Sequence, residues 1–261
     1  MTHRERIRAA LNHTQPDRVP VDFGGTIVSG ISVSVISKLR KVLGLDGHNA
    51  RVKVTEPYQM LGEILSDLKE RLHIDTAGLF NIDNMFGFPN TGWKSWTMFD
   101  NTDVLVPEKF NTEPDENGSI PMYAGGDKSY PPAAVMPQGG FYFDSTHRQK
   151  PIDDDNLHLE DNLEEFAPYS DELLSYIETE SIRLYDETDY ALVYSMGGTS
   201  FGDIAFVPGP SLKNPKGIRG VEEWYVSTVI RRDYVYEVFD RACEIALDNL
   251  IKVTEALGDR I

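Results

Sequence analysis

Two segments of this chain run from an apolar strand into the same turn, and that repetition narrows the fold more than any other feature. Val19-Pro20-Val21-Asp22-Phe23 leads into Gly24-Gly25-Thr26, and Leu192-Val193-Tyr194-Ser195-Met196 leads into Gly197-Gly198-Thr199. Strands this apolar are covered on both faces, as in a parallel sheet flanked by helices. In such sheets and barrels, ligands sit at the carboxyl ends of the strands, where glycines let the backbone approach closely. Gly24, Gly25, Thr26, Gly197, Gly198 and Thr199 are therefore candidate substrate-binding residues. The competing reading is that paired glycines only make tight strand-to-helix turns.

The intervening sequence alternates between strand and helix patterns. Thr2, with Glu5 three residues on, reads as a capping box ahead of a helix over Arg4–Leu11. Ile31 to Leu43 repeat at three and four and predict a helix stopped at Gly44. Arg51–Val54 reads as a strand. Met60, Leu61, Ile64, Leu65, Leu68 and Leu72 predict an amphipathic helix beginning near Glu56, and Ile74–Phe80 a further strand. Over residues 93–144 the rhythm changes to short β-type runs, Lys94–Phe99, Val104–Phe110, Ile120–Tyr123 and Phe141–Asp144, which reads as an antiparallel insertion. After an acidic connector at Pro151–Asn162, the pattern predicts a helix over Asp171–Asp186 and a buried strand at Tyr190–Met196. Helices over Val221–Ile230 and Tyr234–Leu257 complete the chain. Only three or four strands are of the barrel type, and the sequence stops where the next would start. The expectation is an α/β domain, either an open sheet or the first part of a (β/α)8 barrel.

Charge bounds the partners. Lys and Arg number 25 against 42 Asp and Glu, a formal charge of -17, which repels phosphate backbones and anionic lipid surfaces and excludes nucleic acid and membranes as main partners. The lone cysteine, Cys243, cannot form an intramolecular disulfide and suits a reducing, cytoplasmic setting. Asp22 and Asp83 are expected at or just after strand ends, where a carboxylate serves as general acid, general base or helix cap. Tyr194, inside a buried run, needs a hydroxyl partner, whether as a core or a site residue. The histidines are scattered, so no metal ligand set is predicted.

Taken together, Thr2-His3-Arg4-Glu5-Arg6, Ala9-Ala10-Leu11-Asn12-His13 and Pro16 to Thr26 resemble the uroporphyrinogen decarboxylase superfamily. So do Asn84-Met85-Phe86-Gly87-Phe88, Pro151 to Asp155 and Met196 to Asp203. The resemblance extends over residues 1–261 and implies a single, incomplete (β/α)8 TIM barrel. It implies either a porphyrinogen decarboxylase or a methyltransferase that works with a corrinoid protein and a thiol acceptor. Decarboxylases of this family carry an arginine-rich motif where Asp22-Phe23-Gly24-Gly25-Thr26 stands here, which favours methyl transfer. A catalytic aspartate role passes to Asp83 through Phe80-Asn81-Ile82-Asp83. Family methyltransferases bind zinc through His-x-Cys and a later Cys, which the resemblance places downstream of this sequence. The chain by itself is then expected to lack a cofactor and to be inactive, binding a small molecule or forming a homodimer as a non-catalytic module.

Overall fold

The computed structural model describes residues 1–45, 51–197 and 202–261. It is a mixed α/β structure with several small sheets, and no closed barrel lies among the described residues. Helix α1 (His3–Leu11) starts as its sequence dictates. The Thr2 side chain accepts the Glu5 N–H while the Glu5 carboxylate accepts the Thr2 N–H, satisfying two donors that a helix start otherwise leaves open. α2 (Val33–Val42) ends before Gly44, as expected.

The next stretch departs from its periodicity. In place of a helix from Glu56, strand β1 (Val52–Glu56) turns back on β2 (Leu61–Gly62), and α3 is confined to Ser66–Leu72. The reason is polar. The buried Glu56 carboxylate accepts the N–H groups of Tyr58 and Gln59 at 2.8 and 2.7 Å, and Met60, at φ 55°, gives its carbonyl to the first N–H of α2. The apolar residues that mimic a helical stripe are instead shared between β2, α3 and the core.

β3 (Thr76–Leu79) and β9 (Ala191–Tyr194) pair in parallel, in register from Thr76 against Ala191 to Leu79 against Tyr194. α1 packs on β9, while α4 (Asp171–Glu187) packs on both strands and against α6 (Arg232–Leu257). Leu79, Ile177, Val253 and Leu257 form the buried seam between them. The expected strand at Val19–Phe23 is extended chain instead. Val21 gives its carbonyl to the Asp75 N–H, but its own N–H goes to the Asp75 carboxylate rather than to a strand, and Val19 is 80% exposed.

The larger core lies in the β-rich middle. β1 pairs in parallel with β5 (Asp103–Val106), which pairs antiparallel with β4 (Lys94–Thr97), giving the order β2-β1-β5-β4. The strand expected as a second barrel strand therefore belongs to this sheet and not beside β3. Pro107 cannot donate to a ladder, and β5 ends before it, short of the expected Phe110. β6 (Ile120–Met122), β7 (Ala134–Met136) and β8 (Asp144–Ser145) form an antiparallel sheet. β8 starts where the expected run from Phe141 ends, because Phe141 and Tyr142 face solvent. Buried Phe86, Phe110 and Phe143 meet edge to face, with Phe143 5.6 Å from Phe86 and 5.8 Å from Phe110 between ring centroids. α5 (Val221–Ile230) completes the helices.

Two buried carboxylates make opposite demands on pH. Burial pushes Glu56 up from 4.5 to about 7, only partly offset by the Gln59 and Tyr58 N–H groups. A raised folded-state value means stability that is full below pH 4.5 and lost as pH rises through about 7, roughly 3 kcal/mol in all. Glu56→Gln should shrink the fall in melting temperature between pH 5 and pH 8, and an unchanged fall would contradict the assignment. For Asp75, burial alone would raise the carboxyl, but Arg18, His3, the Val21 N–H and Arg6 together hold it down at about 2. Its contribution is present above pH 3.8 and lost as pH falls through about 2. Asp75→Asn should cost about 3 kcal/mol in urea unfolding at pH 7, since it removes the buried anion that Arg6, Arg18 and His3 share and leaves Arg6 only Asp17.

Candidate functional site

The carboxyl ends of β3 and β9 open onto a cavity of about 330 Å³. Its strand-side wall comes from Asn81, two residues past β3, and Gly197, three past β9; Phe166, Phe206, Arg219 and Trp224 supply much of the rest. A smaller space of about 200 Å³ shares Asn81, Glu165, Phe166 and Gly197 with it and reaches Tyr169 and Asn249.

Three buried polar residues hold these walls in place. Asn249 on α6 accepts the Tyr169 N–H at 2.7 Å and donates to the Ala167 carbonyl at 2.9 Å, fixing the approach to α4. Asn162 accepts the Ile218 N–H and donates to the Ile218 carbonyl, both at 2.8 Å, and also accepts the Tyr234 hydroxyl at 2.9 Å. Arg219, 3% exposed, donates to the Glu165 carboxylate and to the carbonyls of Lys216 and Asp161, each at 2.6 Å. These bonds tie the acidic connector to the segment before α5.

At the carboxyl end of β9, the Tyr194 hydroxyl donates to Asn81 Oδ1 at 2.7 Å, and the Tyr169 hydroxyl donates to the Met196 carbonyl; Asn81 lines the cavity and Tyr194 does not. Burial, and then the adjoining Tyr169 hydroxyl, raise the Tyr194 phenol well above its ordinary value. Burial likewise raises Tyr169, countered in part by hydrogen bonds with Tyr194 and Asn81. Both phenols stay protonated at neutral pH and act as hydrogen-bond donors, not bases.

Of the residues singled out in the sequence, Tyr194 and Gly197 lie at this end of the strands. Asp22 does not. It sits beside the start of β3, accepting the Thr76 hydroxyl at 2.5 Å and the Gly25 N–H at 3.1 Å. Gly24, at φ 75°, gives its N–H to the Ser29 carbonyl, and the Thr26 hydroxyl accepts the Val28 N–H. The first Gly-Gly-Thr segment thus closes a turn on itself away from the cavity. Asp83 is exposed on the loop after β3, bridged to Pro89 and outside the cavity lining. Gly198 and Thr199 lie outside the described residues. Asn81, Asn162, Glu165, Arg219 and Trp224 escaped sequence reasoning because they come from distant segments without shared spacing.

Among the described residues, no group of three His, Cys, Asp or Glu side chains converges as a metal site, and Cys243 is exposed on α6. No described helix is long and apolar enough to cross a membrane. Comparison with protein-family models, curated proteins and solved structures finds no match.

The asparagine hub yields a direct check. Asn162→Ala would leave the buried N–H and carbonyl of Ile218 without partners and should cost about 2 kcal/mol in denaturant unfolding. Tyr234→Phe, which removes one of the bonds to the same amide, should cost less.

Proposed function

We propose that the cavity at the ends of β3 and β9 binds a small, largely uncharged molecule. The observation that carries this reading is the state of its cation. Among the described lining residues Arg219 is the only Lys or Arg, and its guanidinium is engaged by Glu165 and backbone carbonyls. A substrate with many carboxylates requires guanidinium forks free to receive them. The aromatic and amide groups at this cavity instead suit an apolar body with a few hydrogen-bonding atoms.

The reaction class rests on the resemblance to the uroporphyrinogen decarboxylase superfamily. Methyl transfer involving a corrinoid protein and a thiol acceptor agrees better with the cavity than porphyrinogen decarboxylation. Zinc, which would make the thiol a better nucleophile, finds no ligand set among the described residues. The roles this reading gives to the described residues are binding and orientation, by Tyr194 through Asn81 and by the ring of Trp224, which lines the cavity. A cytoplasmic location fits the unpaired, exposed thiol of Cys243.

Calorimetric titration with a neutral alkanethiol and with uroporphyrin separates the alternatives. The thiol should bind and weaken about tenfold in Trp224→Ala, the loss of one buried aromatic contact, while uroporphyrin should not bind. Uroporphyrin binding, or formation of coproporphyrinogen from uroporphyrinogen, would favour the decarboxylase. A second reading, a self-associating module, draws on α5, where Tyr225, Val229 and Ile230 are 58%, 70% and 64% exposed along one helical face. Sedimentation that depends on protein concentration, and is abolished by Val229→Glu, would support it.

A further inference from the structure

Away from the strand ends, a groove of about 400 Å³ lies between β4, the segment following β5 and the loop after β6. Lys94, Lys109 and Lys128 line it, one from each of these segments, together with Glu108 and Glu113. Lys128 bonds Glu113 at 2.5 Å, whereas Lys94 and Lys109 have no carboxylate within 4.0 Å among the described residues. In a chain whose acidic groups outnumber its basic ones 42 to 25, this groove has the opposite balance, three lysines to two glutamates.

The convergence is built into the backbone. Gly126, at φ 72°, lets its loop come so close to Lys109 that an added Cβ would lie 2.7 Å from the Lys109 Cβ. Asn111, buried, donates to the Glu113 and Pro121 carbonyls at 2.9 and 2.8 Å, which fixes the loop carrying Glu113. Lys94 leaves β4 on the same side as Trp96, whose ring packs 5.2 Å from buried Phe110, itself part of the groove lining. Burial, and then the charge of Lys128, lower the Lys94 pKa. Glu108 and Glu113 oppose this shift without cancelling it, so the Lys94 ammonium sits at some cost beside Lys128, and a bound anion would relieve it.

We infer that this groove is a binding site for a multiply charged oxyanion of the phosphate type, held by Lys94, Lys109 and Lys128 in competition with Glu113. Lysine serves such a ligand as a compact point charge, and three of them around one groove offset the chain's overall repulsion of anions locally. The site is separate from the cavity at the strand ends and independent of its proposed chemistry.

Pyrophosphate titrated into the whole chain by calorimetry at low ionic strength tests the inference. Saturable one-site binding is expected, weakening as salt is added. Lys94→Gln with Lys109→Gln should weaken it about a hundredfold, roughly tenfold for each charge-assisted hydrogen bond lost. Glu113→Gln should tighten it by freeing Lys128. Lys38→Gln, on α2 and paired with Asp100, should leave it unchanged. Absence of saturable binding, equal affinity in the double lysine variant, or weakening by Glu113→Gln would each overturn the assignment. Melting curves of every variant identify any loss that comes from unfolding.

Discussion

One buried carboxylate organises the parallel part of the molecule. Asp75, fully buried just before β3, receives the Arg6 guanidinium, both ends of the Arg18 fork, the His3 ring and the Val21 N–H, all at 2.7 to 2.8 Å. These partners come from α1 and from the extended segment after it, so a single anion joins three pieces of chain. A buried charge is tolerable only when its lone pairs are taken up, and here they are. Arg6 also grips Asp17, while Arg4 stacks on Tyr185 and donates to carbonyls at the end of α4. The amino end of the β3–β9 pair is thus locked by ionic contacts and its opposite end is left for the cavity.

From that anchor the rest follows by short steps. Four paired residues carry each strand from the Asp75 knot to the cavity, a rise of roughly 13 Å, too short a span for the two ends to shift independently. At the far end, the tyrosine and asparagine hydroxyl and amide groups replace ions. Arg219 repeats the logic of Asp75 with the sign reversed, being one buried cation satisfied by an anion and by carbonyls. Buried polar hubs specify position because each donor has one acceptor, whereas an apolar seam such as Leu79, Ile177 and Val253 tolerates sliding.

Much of the scaffold was legible in the sequence, and what was not shares a cause. Capping chemistry located α1, helical periodicity located α4, α5 and α6, and apolar runs located β3 and β9. The helix expected from Glu56 failed because a periodic apolar pattern does not reveal a carboxylate folding back on its own backbone N–H groups. Val19–Phe23 reads as a strand by composition, yet the Asp75 side chain takes one of its backbone donors. At the candidate site, Tyr194 and Gly197 were visible because they end an apolar strand. Asn81, Asn162 and Arg219 were not, since their roles arise from contacts across 50 or more residues, such as Asn162 with Ile218. The first Gly-Gly-Thr segment has the same sequence pattern, yet its hydrogen bonds run within residues 22–29 and it lies outside the cavity lining.

The distribution of cations explains why the two cavities differ in character. With a charge of -17, each arginine buried in the fold is matched locally or it would draw in an acidic surface group. Arg6 and Arg219 are neutralised by carboxylates, and Arg148 donates to the carbonyls of Leu212, Pro208 and Gly209, so guanidinium groups here build structure. The chamber beside Arg219 is left polar but electrically quiet, which suits an apolar ligand whose few polar atoms must meet fixed amides. Lysines, with flexible stems and strongly hydrated heads, make poorer structural hubs than arginines, although Lys69 reaches the Thr76 carbonyl on β3. Where three of them line one groove beside Phe110, they outnumber the two glutamates there, the reverse of the balance in the whole chain. That local excess of lysine is what an anion would meet, and it owes nothing to the chemistry at the strand ends.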